Sequence, residues 1–185
     1  MRIAKNFRSD QENISRFITA LGSGSVILST TKYARPDFFI KAYGFIRDYI
    51  EDGLFKKEEF LIRVLEDNGF PPDSGPVGGM LIDHKKSREA AELMFNTAKL
   101  WQAGDEIARS ELTWATSQFT GAIRQHLERL KGLIFPLIEQ TISIDDEHEL
   151  SEEVNKIVFE GGLKDGVEKY VKLIEALEDQ LSDWR

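Results

Sequence analysis

The chain has 185 residues, 41% of them hydrophobic and 30% charged, the balance of a globular protein with length enough for one sizeable core. A formal net charge of −8 and the lack of any basic stripe exclude a nucleic-acid-binding face, which needs clustered Lys and Arg to displace counterions. With no cysteine, disulfides, thiolate catalysis and iron–sulfur clusters are excluded as well.

The amino terminus shows no long apolar run before a small-residue cleavage site, so no signal peptide is expected. No apolar segment approaches the roughly 20 residues of a membrane-crossing helix, and a cytoplasmic location is the expectation. Apolar residues then recur every three or four positions almost throughout, the period of an amphipathic helix. In the first such segment, SDQENISRFITALG, Ser9 or Asp10 stands ready to cap. Ile14, Phe17, Ile18 and Leu21 form its stripe, and Gly22 and Gly24 mark its end. SVILSTT is β-prone but short and isolated, so it is expected as a loop or as the tail of that helix. A second helix begins near Pro36, where a missing N–H costs little, and passes through Phe38, Ala42, Phe45, Ile46, Tyr49 and Ile50 to a stop at Gly69.

The turn FPPDSGP cannot continue a helix. A third helix carries Val77, Leu81, His84, Ala91, Met94, Phe95, Ala98 and Trp101 on one face. The fourth, with Asp105 as a cap, presents Leu112, Phe119, Ala122, Ile123, His126, Leu130, Leu133 and Leu137 and is interrupted late by Pro136. Two further helical pieces follow, separated by Gly161 and Gly162. The fold expected is all-α, an up-and-down four-helix bundle with additional C-terminal helices. Lys56–Lys57 and Lys85–Lys86 are expected as solvated faces, and Asp145–Asp146 and Glu152–Glu153 as helix-start and surface charge. Trp101, Trp114 and Trp184 read as core or surface anchors.

Of the three histidines, His148 lies in the acidic stretch IDDEHEL, expected as an exposed loop. His84 and His126 fall on apolar stripes, and a buried neutral imidazole needs partners for one donor and one acceptor.

Four segments carry a family resemblance. In order, FIRDYIEDGLFKKEE, GFPPDSGPVGGMLIDHKKSRE, QHLERLKGLIFPLIE and LKDGVEKYVKL resemble the later three helices and the tail of hemerythrin-like (HHE cation-binding) proteins of the bacterial branch. The match covers about residues 36–139 and, more loosely, extends to Tyr170. It implies a single helical domain over 1–185, with a core bundle over about 9–140 and a carboxy-terminal helical extension over about 147–183. Members of that family hold two irons with five histidines and two carboxylates. Carried over by position, the first-helix histidine falls at Gln11, the His–His pair at Leu54 and Phe55, and the late histidine at Val167. The fourth-helix glutamate falls at Leu130. His84 and His126 are retained, Arg88 stands in its expected place, and either Glu58 or Glu59 keeps the carboxylate.

Leucine, phenylalanine and valine offer no ligand atom, and each contributes roughly 1.5–3 kcal/mol when its apolar surface is buried. Di-iron oxygen carriage is therefore not expected. The leading expectation is a non-enzymatic binding or interaction module without a cofactor, whose partner is a protein, a small ligand in the vacated core, or a second copy forming a homodimer. The alternative is a metal-dependent sensor or oxidase, in which His84, His126 and Glu58 or Glu59 hold a single iron or zinc ion.

Overall fold

The computed structural model describes residues 2–160 and 163–184. Among these residues all regular structure is helical, as the three-and-four spacing requires. Helices α1 (Ile3–Asn6) and α2 (Arg8–Leu28) open the chain. Next come α3 (Pro36–Phe45), a π-helical segment (Ile46–Phe55) and α4 (Lys56–Asp67), in an unbroken run. Helix α5 (Gly75–Gln102) leads to a second such run, α6 (Glu106–Arg129), a π turn (Leu130–Ile134) and α7 (Phe135–Thr141). Helices α8 (Ile144–Glu160) and α9 (Leu163–Asp183) complete the fold. The linker glycines Gly161 and Gly162 lie outside the described residues.

The expected boundaries hold where backbone chemistry sets them. Pro36 and Pro76 sit in the first turns of α3 and α5, where no intrahelical donor is needed. Asp105 caps α6 by accepting from the backbone N–H groups of Ile107 (2.9 Å) and Ala108 (3.3 Å). Gly69, at φ +90°, lets Phe70 N–H donate back to Leu65 O at 3.0 Å, closing α4.

Elsewhere tertiary packing overrides local preference. Gly22 and Gly24 do not end the first helix; α2 continues to Leu28, so the first part of SVILSTT is its tail. A Cβ at Gly24 would lie 2.5 Å from the Phe38 ring, so that glycine permits a close approach and does not stop the helix. Asp10 is not a cap but a buried member of α2, paired with Lys57 Nζ at 2.6 Å and accepting from Tyr49 Oη at 3.0 Å. Lys57 is thus not on a solvated face, whereas Lys85 and Lys86 are exposed as expected. His148 is exposed, yet it stands on α8 and not in a loop. Asp146 does begin that helix, exchanging hydrogen bonds with Ser143.

The π segments shift which residues face inward. An i→i+5 turn is wider than an α turn, so Phe45, Ile50 and Phe55, each five apart, are all buried. The second π turn turns Leu130 and Ile134 inward and Leu133 out, against the expected stripe, and carries the chain past Pro136 without ending the rod. Leu81 is also exposed, and its neighbour Asp83 is buried in its stead.

Helix α5 packs along α6, α2 on α6, and α3 on α5, while α9 lies against both α2 and α3. Arg16 on α2 pairs with Glu178 on α9, and Trp184 packs against Phe38 with ring centroids 5.0 Å apart. Helix α8 covers α1 and α4. The interior is dense in fully buried aromatics, among them Phe7, Phe17, Phe38, Phe39, Phe45, Phe55 and Phe119. No helix among the described residues is long and apolar enough to cross a membrane.

Candidate metal centre

Three helices bring one titratable side chain each to the same point. Glu58 stands in the first turn of α4, just after the π segment, and is wholly buried. His84 lies on the inward face of α5 with Met80, Ser87, Ala91 and Met94. His126 closes the buried stripe of α6 that runs through Phe119 and Ile123. His84 Nε2 lies 2.6 Å from Glu58 Oε2, and His126 Nε2 lies 2.9 Å from the same oxygen and 3.1 Å from Oε1. The two imidazole centroids are 5.0 Å apart, inclined at 65°. Among the described residues, Glu58, His84 and His126 form a donor set whose ligand atoms all fall within 4.8 Å of one another.

This geometry separates the two carboxylates that the sequence leaves open. Glu58 faces the histidines; Glu59, the next residue along the helix, is exposed. Of the other positions, Leu54, Phe55 and Leu130 are buried and apolar. Phe55 stacks on His84 with ring centroids 3.9 Å apart and stands nearly perpendicular to His126, with centroids 5.6 Å apart. Val167 is half-buried, as is Gln11, whose Nε2 is enclosed without a hydrogen-bond partner. Arg88 does not reach the centre; its guanidinium lies over the Phe55 ring at 5.4 Å.

Sequence reasoning missed a second layer. Asp83 is buried on α5 and accepts from Arg129 Nε at 2.7 Å. The same Asp83 oxygen lies 3.5 Å from His126 Nδ1. At that separation the approach is a charge contact and not a hydrogen bond of ordinary length, so Nδ1 has no hydrogen-bond partner. The available signal was the spacing: Arg129 follows His126 by three residues, which places both on one helix face.

The electrostatics follow from burial and pairing. Burial alone pulls the His126 imidazolium down, but the Glu58 charge, with Asp83 behind it, outweighs this and raises His126 to about 9. Burial pushes Glu58 up, yet His126 and His84 more than compensate and hold it below the usual carboxylate range. Asp83 is likewise lowered against its burial, by His126 and Arg129.

Two imidazoles and one carboxylate are a nitrogen–oxygen set suited to one divalent ion such as zinc or ferrous iron. The residues present fit a single ion, because three donors already aim at one point and the outer nitrogen of His126 faces a carboxylate, as metal-ligating histidines ordinarily do. They do not fit an iron pair, because two irons need more donors than these three side chains supply, and Phe55, packed against both imidazoles, offers none. Comparison of the chain with protein-family models, curated proteins and solved structures yields no match.

Proposed function

We propose that this protein is a helical-bundle binder of a single divalent transition-metal ion, built on a hemerythrin-like frame that no longer takes two irons. The observation that carries the reading is the convergence of Glu58, His84 and His126 from three helices onto one buried point. The pairing of α2 with α6, α6 with α5 and α5 with α3 supports an up-and-down four-helix frame, with α9 as an addition against α2 and α3. A bound ion would supply Lewis acidity or a redox-active centre, according to its identity. His84 presents Nε2, and His126 presents Nε2 after giving up its proton. Glu58 contributes oxygen and negative charge, while Phe55, packed against both imidazoles, keeps water out. Loading purified protein with iron, zinc and cobalt(II), with elemental analysis and cobalt absorption, should give one ion per chain. His126→Ala should abolish uptake while helicity persists. No uptake at micromolar metal, or two ions per chain, would overturn the proposal.

A second reading has its own observation. Glu58 and His126 complete a charge pair without an ion, both wholly buried, and Phe55 packs against the His126 ring. On that reading the bundle is a metal-free interaction module, acting in the cytoplasm on a protein, a small ligand or a second copy. The same loading experiment separates the two readings.

A further inference from the structure

A histidine that binds an ion through one nitrogen must keep its proton on the other, and something has to enforce that choice. In this protein the enforcing group has a definite structure. Asp83 on α5 is 4% exposed, and its Oδ2 is the oxygen that faces His126 Nδ1. Arg129, one turn beyond His126 on α6, donates Nε to that same Oδ2 at 2.7 Å and so fixes where it points. Gly79, one turn before Asp83, leaves the space that the guanidinium occupies, because a Cβ there would sit 3.0 Å from Nη1 and 3.2 Å from Cζ.

We infer that the Asp83–Arg129 clamp is the positioning device of the metal centre. It holds the Nδ1–H form of His126, turns Nε2 toward Glu58, and thereby sets the affinity for the ion. This rests on the metal-binding reading. A helix–helix ion pair without that role would have no need to place its shared oxygen against the second nitrogen of a wholly buried imidazole. Asp83 and Arg129 are positioning residues: both act through His126, and neither belongs to the converging donor set.

The experiment is a Zn2+ titration of the wild-type chain and of Asp83→Ala, Asp83→Asn and Arg129→Met, followed by nitrogen-15 imidazole spectra of the zinc-loaded proteins. Wild type should bind one Zn2+. Asp83→Ala should bind with unchanged stoichiometry but about 10–100-fold more weakly. Asp83→Asn, which keeps an acceptor oxygen, should fall between, and Arg129→Met should weaken binding in the same direction. A slowly exchanging imidazole Nδ1–H should be present in zinc-loaded wild type and should vanish in Asp83→Ala. If Asp83→Ala does not fold, Asp83→Asn and Arg129→Met carry the test. Wild-type affinity in the folded variants, with the Nδ1–H signal intact, would overturn the clamp and leave the metal site standing. Failure of wild type to bind Zn2+ would overturn both.

Discussion

Removing the carboxylate that both imidazoles face is the sharpest perturbation the centre offers. Glu58→Ala leaves a wholly buried imidazole, His126, without its nearest counter-charge, and takes from His84 its hydrogen-bond partner at 2.6 Å. Breaking a buried pair by deleting one member costs roughly 3–5 kcal/mol. In a chain of this length each kcal/mol lowers Tm by about 2–4 °C, so a fall of about 6–20 °C is expected. The assay is urea and thermal unfolding of metal-free protein, followed by far-ultraviolet circular dichroism. Glu59→Ala is the internal control; this exposed neighbour should change stability by no more than about 0.5 kcal/mol. Replacing Glu58, His84 and His126 together with leucine should be neutral or stabilising by about 1–4 kcal/mol, because a buried ionic cluster rarely outperforms hydrocarbon of similar volume. The triple variant should take up no metal. Equal, small effects for Glu58→Ala and Glu59→Ala would refute the reasoning, as would a triple variant as unstable as the single one.

Further outcomes rest on the same structure. His126 is raised from 6.5 to about 9 on folding, so its contribution to stability is full below pH 6.5 and is lost as pH rises toward 9. Glu58 is held below its ordinary 4.5, so its contribution is present above that pH and is lost in acid. Metal-free protein should therefore be most stable between about pH 4.5 and 6.5. Because ligation displaces the His126 proton, metal affinity should instead rise with pH over the same alkaline range; titrations at several pH values check both slopes, and parallel slopes would contradict the assignment. On α2, Gly24→Ala should destabilise by about 1–3 kcal/mol through overpacking against Phe38, whereas Gly22→Ala, with open space at its Cβ, should stabilise by about 0.4–1 kcal/mol, both read from denaturant midpoints.

Helix content and most helix ends were legible from sequence, because they depend on short-range chemistry. Pro36, Asp105 and Gly69 each act within one turn of their own backbone, and the three-and-four spacing of apolar residues is itself the helical period. The inward placement of His84 and His126 was legible for the same reason, since a polar residue on an apolar stripe is carried inside with its neighbours. Asp10, Lys57 and Gly24 were misread because their roles depend on partners 47 residues away for the ion pair and on a ring of another helix for the glycine.

The amino-acid order by itself determined an all-helical chain and two imidazoles carried inside on apolar stripes. These follow from local periodicity and side-chain type, which need no knowledge of neighbours. Only the tertiary structure decided between Glu58 and Glu59, because one residue advances about 100° around a helix, enough to carry a side chain from the core to the surface, and the wide π turns reset that rotation. Only the packing of α5 on α6 set the Asp83 carboxylate, pinned by Arg129, against His126, a contact between helices for which no spacing along the chain is a rule.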